Sequence, residues 1–289
     1  MRCDLHVHTL HSGMCEIPVL RRVCRESYNR PDAVYARLKS RGMDLVTVTD
    51  HDSIGASDAL RSHPDFFLSE EVTCKMPDGS QVHLGVYDIH ERDHIEIQQR
   101  ADDFLSLVAY LRERRLFFSA NHVFSSLTGV RHFSDFDWLA AFAPAFETRN
   151  GLMPATNNRY AARFARECGK RAIGGSDAHA MSSVGSAYTE VEGARNKEEF
   201  FAGLRAGRGR VRGEHGGYFK LTRDVLMLVA AMIEEQPWTA ILAPLALAVP
   251  FVTLGNCARE AVFARYWMWR LQQGRRAFPM RPAKTVLQA

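Results

Sequence analysis

The residues in this chain that could do chemistry are histidines and carboxylates at short spacings. His6-Val7-His8 sets two imidazoles two positions apart, and on an extended strand that spacing puts both on one face. Imidazole is the commonest protein ligand for transition metals, so the pair suits a shared ion. Asp50-His51 directly follows the apolar, β-branched run Leu45–Thr49; there His51 can ligate while Asp50 orients it or caps a helix. In Gly174-Gly175-Ser176-Asp177-Ala178-His179 the two glycines allow close backbone approach, and Asp177 and His179 present a hard and a borderline ligand together. Ser69-Glu70-Glu71-Val72-Thr73 offers a carboxylate able to bridge two cations. Neighbours on a strand face opposite ways, so spacing alone does not choose between Glu70 and Glu71. His83 and His122 each lie beside an apolar run. Singly, each motif reads as well as a hydrogen-bonded pair, a turn or a cap. Jointly, six segments supplying His, Asp or Glu suit two or three metals, and the mixed donor set favours zinc, manganese or iron over magnesium or calcium. Asp50 and His179 are the candidates for direct catalytic roles.

The elements that must position these groups alternate short apolar runs with helical stretches over the first ~215 residues, the pattern of a mainly parallel sheet. Arg2–His8, Leu45–Thr49, Phe66–Leu68, Val82–Tyr87, Leu116–Ala120, Ala145–Thr148 and Ala172–Gly174 read as strands, with Pro77-Asp78-Gly79 as a turn. Helices are predicted from Pro31 to Gly42, over Ala101–Arg115 and over Arg159–Cys168. The reactive residues fall at or just past strand ends, where loops converge on one pocket.

Composition narrows the reading. The chain has 289 residues with 46% hydrophobic and 24% charged, which excludes disorder and small disulfide scaffolds. Six cysteines lie far apart, and the opening Met1-Arg2-Cys3-Asp4-Leu5-His6 carries charge where a signal's apolar core would sit. We therefore expect reduced thiols and a cytoplasmic compartment. The net charge of +4 resolves into +5 over residues 220–289 and −1 over the rest, which argues against a long nucleic-acid groove on the main body. All 12 histidines fall at or before His215, so chemistry belongs to the first three quarters.

From Gln236 to Ala258 there are 23 residues without charge, followed by Arg259, Arg265, Arg270, Arg275 and Arg276. That length could span a bilayer core, but Pro237, Pro244 and Pro250 argue against a straight helix. The alternatives for 220–276 are an interfacial or re-entrant membrane hairpin on the inner face of the membrane, a buried helical hairpin, or an oligomer contact.

In chain order, Asp4-Leu5-His6-Val7-His8-Thr9, Thr49-Asp50-His51-Asp52, Glu71-Val72-Thr73, His83-Leu84-Gly85-Val86-Tyr87, Asn121-His122 and Gly175-Ser176-Asp177-Ala178-His179 resemble the polymerase and histidinol phosphatase (PHP) family of metal-dependent phosphoesterases. The resemblance implies a distorted (β/α)7 barrel over residues 1–216, with 217–289 as an apolar, basic helical extension. It implies His6, His8, Glu71 and Asp177 around one metal, and Glu71 bridging to a second held by His83 and His122. A third would be held by His51 and His179. The acid-Val-Thr pattern selects Glu71 over Glu70. This chain departs where the family often adds one more ligand after the first motif; His11, Cys15 or Glu16 could fill that place. Where the family has His-Pro, this chain has His122-Val123. Arg149 and Asn150 are the candidates for gripping a phosphate. The implied activity is hydrolysis of a small phosphorylated substrate, monoester or diester, by a metal-activated water at a di- or trinuclear site. The competing readings are an amidohydrolase-type metal enzyme, which would want a bridging lysine, and a non-catalytic, metal-stabilised module anchored at a membrane.

Overall fold

The computed structural model describes residues 1–277 except Glu16 and Val19. Its strands are β1 (Arg2–Cys3), β2 (Ser69–Lys75), β3 (Gln81–Tyr87), β4 (Phe117–Ala120), β5 (Ala145–Asn150), β6 (Arg171–Gly175), β7 (Ala187–Val191) and β8 (Gly209–Gly213). Between them run α1 (Pro31–Ser40), α2 (Ser57–Leu60), α3 (Glu91–Gln98), α4 (Phe104–Glu113), α5 (Phe133–Phe142), α6 (Ala155–Glu167) and α7 (Lys197–Arg205). After β8 come α8 (Tyr218–Glu235), a 3-10 segment (Pro237–Ala248) and α9 (Val249–Ala277).

The fold is mixed α/β, with a five-stranded sheet in the order β2-β3-β4-β5-β6 and a three-stranded sheet β1-β7-β8 among the described residues. The expected mainly parallel sheet is only partly so. β4–β5 and β5–β6 are parallel, while β2–β3, β3–β4, β1–β7 and β7–β8 are antiparallel. The β2–β3 connection explains part of this: a tight turn around Gly79 (φ 89°) can join antiparallel strands, whereas a parallel pair needs a crossover of a dozen or more residues. The ladders of the two sheets do not close into one ring among the described residues.

Two expected strands shrink for a local reason. The first run forms a ladder only at Arg2–Cys3 and then makes a single parallel bridge, Val7 with Ala178. The second, 45–49, makes one bridge from Val46 to Phe66. Its threonine hydroxyls take the places of backbone partners: Thr47 Oγ1 donates to the Phe67 carbonyl at 2.8 Å, and Thr49 Oγ1 accepts from Val7 N at 3.1 Å. Both segments still run side by side, because Thr49 N donates to the Val7 carbonyl. The strand expected at Phe66–Leu68 begins later, at Ser69.

The helices follow from their caps and apolar faces. Asp103 accepts from Leu105 N and Ser106 N at the start of α4, which buries Phe104, Leu107, Val108 and Leu111. That face joins Phe136 of α5, Phe146 of β5 and Phe164 of α6 in the largest apolar cluster. The far half of α9 belongs to the same cluster through Ala264, Trp267, Met268 and Leu271, at i, i+3, i+4 and i+7.

Candidate metal centre

The two strand-like segments, Glu71 and His83 from within β2 and β3, and the C-terminal ends of β4, β5 and β6 bring the predicted ligands into one cluster. Asp4 is fully buried and accepts from Ser176 N (2.8 Å), Gly185 N (2.9 Å) and His6 N (3.2 Å), which ties the first segment to the end of β6. Gly175 makes that close approach feasible, since a Cβ there would lie 2.3 Å from His6 Cβ. His122 (φ 28°) and Asp177 (φ 52°) adopt left-handed backbone, a costly conformation for such residues that persists where the surroundings enforce it.

Glu71 is the hub. Its Oε2 lies 3.1 Å from His6 Nε2, 3.5 Å from His8 Nε2 and 3.3 Å from His51 Nδ1. Its Oε1 lies 3.3 Å from His122 Nε2 and 3.6 Å from His83 Nδ1, and accepts from Asn121 Nδ2 at 2.8 Å. Glu70 faces the other way, accepting from His94 and Gln98 of α3. Asp177 Oδ1 lies 3.4 Å from His6 Nε2 and 3.3 Å from His8 Nε2, with His179 Nδ1 at 3.6 Å. The donor atoms form four overlapping groups that could each hold an ion: His6-His8-Asp177, His6-Glu71-His122, His51-Glu71-His83 and His8-His51-His179.

The chemistry of the donors fits cations. His6 Nε2, His8 Nε2, Glu71 Oε2 and His83 Nδ1 are buried atoms without a hydrogen-bond partner, and such groups are costly unless something coordinates them. The carboxylates and imidazoles of the cluster shift one another. Burial works against charge on His51, yet Glu71 and Glu26 outweigh it and raise the imidazole to about 9. Burial likewise opposes the charged carboxylates of Glu71 and Asp177, and the surrounding imidazoles still hold both well below their usual range. Burial and the neighbours His179 and His51 push His8 the other way, down to about 3, so it stays neutral and able to ligate.

Outer contacts fix the rings. His6 Nδ1 faces Glu147 Oε1 at 2.8 Å, which directs its Nε2 into the cluster. Asp50 was expected to serve His51 and to act in catalysis. Its carboxylate instead accepts from Thr9 N, Thr9 Oγ1 and Ser12 Oγ, each at 2.6 Å, and Ser12 Oγ meets His8 Nδ1 at 3.0 Å. Asp50 thus orients His8 through Ser12. Asn150, a candidate for substrate contact, is completely buried: its Nδ2 joins Glu147 Oε2 to Asp177 Oδ2, both at 2.9 Å, while its Oδ1 accepts from Leu152 N and Met153 N. It positions ligands and has no face left for a phosphate. Arg149 donates to the Gly213 carbonyl at 2.6 Å, at the end of β8, rather than to any residue of the cluster. The β5 irregularity between Glu147 and Arg149 separates their directions.

After the first motif, the carboxylate that the structure brings beside the cluster is Glu26, which was not among the expected His11, Cys15 and Glu16. Its Oε1 lies 3.5 Å from His51 Nε2 and 3.7 Å from His179 Nε2. His11 packs its Nδ1 against Gly55, Cys15 N bonds the Cys24 carbonyl, and Glu16 lies outside the described residues. Glu26 arrives because the loop folds back, with Glu26 N donating to the Gly13 carbonyl and Ser27 Oγ to the carbonyls of His8 and His179. Spacing from His8 carries no hint of that return. The cluster is open on this side: His51, His83, His179 and Glu26 keep 16 to 28% of their side chains exposed, whereas His6, His8 and Glu71 are sealed.

A family of sequences described as PHP-associated matches residues 155–208, from α6 to the turn after α7. No curated protein matches the chain by sequence. Among solved structures, PsfC from Pseudomonas syringae superposes with a TM-score of 0.57 at 16% identity, covering 81% of this chain and 98% of PsfC. A two-domain protein of Bacteroides vulgatus containing a predicted PHP-like metal-dependent phosphoesterase gives a TM-score of 0.56 at 16% identity, covering 78% of this chain and 69% of its own. The fold is shared with both.

Proposed function

We propose that this chain belongs to the PHP domain family and hydrolyses phosphoesters of small molecules at a site holding two or three transition metals. The observation that carries the reading is Glu71, whose two oxygens face two separate sets of histidines from a fully buried position. His6, His8, Glu71, His83, His122 and Asp177 would hold the inner metals, and His51, His179 and Glu26 the outer one. Bound zinc, manganese or iron would polarise a phosphoryl oxygen and supply hydroxide near neutral pH. The chain's own residues do the rest. Glu147 and Asn150 fix His6 and Asp177, Asp50 and Ser12 fix His8, and the half-open rim of His51, His83, His179 and Glu26 is where a phosphoester enters.

We read residues 1–216 as the hydrolase unit, and the parallel bridges Val7–Ala178, Val46–Phe66 and His51–Glu71 support treating the two sheets as one distorted barrel. No lysine is buried among the described residues, which leaves the bridging lysine of an amidohydrolase without a candidate. None of the six cysteines is in a disulfide, which fits the reading of a reducing, cytoplasmic location.

The test is metal content and turnover of p-nitrophenyl phosphate and bis-p-nitrophenyl phosphate by the wild type and by His6→Ala/His8→Ala. Stoichiometric transition metal with turnover lost in the variant is the expected result, and the preferred ester separates phosphatase from phosphodiesterase. Wild-type protein that takes up no metal from zinc, manganese or iron, or loads fully and cleaves neither ester, would overturn the reading.

A further inference from the structure

We infer that the C-terminal hairpin is a docking surface for an anionic lipid bilayer. Of 19 exposed large apolar side chains among the described residues, 13 lie from Phe219 onward. Trp238, Ile241, Leu245, Leu247, Phe251 and Val252, all within the uncharged run 236–258, are 59 to 79% exposed. A contiguous apolar display of this kind is what a soluble monomer ordinarily buries.

Charge selects the occupant. Past the run, Arg259, Val262, Tyr266 and Trp269 follow one another at i, i+3, i+7 and i+10, one exposed stripe of α9, with exposed Arg265 and Arg270 beside it. Arginines and ring edges flanking an apolar face match the phosphates and boundary of an anionic headgroup layer. Little negative charge answers them locally. Of the four acidic residues beyond position 219, Asp224 is buried on Ser182 and Ser183, Glu260 is buried on Ser126 and Asn157, Glu235 pairs with Arg25 at 2.9 Å, and Glu234 is exposed at the end of α8. In a two-fold contact between copies the same arginines would crowd one another, whereas anionic lipid neutralises them.

The hairpin lies on the bilayer and does not cross it. The segment Pro237–Gly274 is long and apolar enough for a span by composition, but its second half is committed to the body. Glu260, Ala264, Trp267, Met268 and Leu271 are all buried there. The 3-10 segment itself covers only about 24 Å at ~2.0 Å per residue, short of a ~30 Å hydrocarbon core. The docked face adjoins the rim of the metal centre, since Glu235, at the end of α8, holds Arg25, the residue before Glu26.

The test is co-sedimentation of the full chain with vesicles of phosphatidylcholine, alone or mixed with phosphatidylglycerol. Wild-type protein should pellet with the anionic vesicles and be released by salt. Leu247→Glu/Phe251→Glu should abolish binding, and Arg265→Glu/Arg270→Glu should weaken it at least about tenfold, with circular dichroism unchanged because all four positions are exposed. Protein that stays in the supernatant with both vesicle types, binds both equally, or instead forms a dimer abolished by Leu247→Glu/Phe251→Glu would overturn the inference. Turnover of soluble bis-p-nitrophenyl phosphate should be the same in these variants and the wild type. Failure of docking with intact turnover therefore leaves the hydrolase reading standing, and the reverse result removes only that reading.

Discussion

Glu26 Oε1 sits 3.5 Å from His51 Nε2 and Glu71 Oε2 3.3 Å from the other ring nitrogen, Nδ1, so His51 is held between two carboxylates. Burial opposes ionisation of Glu26, but His179 and His51 hold its carboxyl well below the usual range. Glu26→Gln keeps the shape and removes the charge. The variant should lose the outer metal, retain those around Glu71, and drop about 10- to 100-fold in turnover. Metal analysis by mass spectrometry beside the p-nitrophenyl assays checks it; unchanged metal content would remove Glu26 from the ligand set.

Glu147 is a second lever, acting on His6 Nδ1 at 2.8 Å and on His122 N at 3.0 Å. Glu147→Gln leaves the ring free to turn or to change tautomer. Metal affinity should fall about 10- to 100-fold with little change in fold, read by competition with a chromogenic chelator.

The fold was legible where local chemistry decides it. Pro31 and Gly42 bound α1, Asp103 caps α4, and the Pro77-Asp78-Gly79 turn joins β2 to β3. The run 45–49 misled because threonine hydroxyls replaced backbone partners, a substitution that β-propensity does not register. At the site, the residues whose spacing fixes a shared face, such as His6 and His8, could be read directly. Glu26 could not, since a loop return brings it there, and nothing in the sequence around Asn150 shows that it is fully buried between two carboxylates.

The metal-free protein should show opposite pH limbs. His51, held up at about 9 against an ordinary 6.5, contributes stability that is complete below pH 6.5 and lost as pH rises through 9. His8 and His83, both pushed down to about 3 mainly by burial, contribute in the other direction, and acid destabilises the fold between 6.5 and 3. Thermal midpoints of chelator-treated protein across this range should fall on both sides. His51→Gln should flatten the alkaline limb only; an unchanged alkaline limb would show that other groups set it.

Trp267 anchors α9, with its ring 5.3 Å from Phe136 and its side chain in the core shared by α4, α5 and α6. Trp267→Ala should cost about 3–5 kcal/mol of unfolding free energy in urea titration. Phe251→Ser, at an exposed position, should cost almost nothing in the same assay.

The contact of Gly175 with His6 also bears on which substitutions this chain can survive. Position 175 has no functional group, yet any side chain there would collide with the His6 backbone nitrogen, where a Cβ would stand 2.4 Å away. A saturation library selected for activity should therefore retain glycine at 175 as strictly as the ligands themselves. It should accept many residues at Gly255, where nothing lies within 4 Å of an added Cβ. Invariance in such a library would mark the tightness of the backbone around the metals as much as the identity of the groups that bind them.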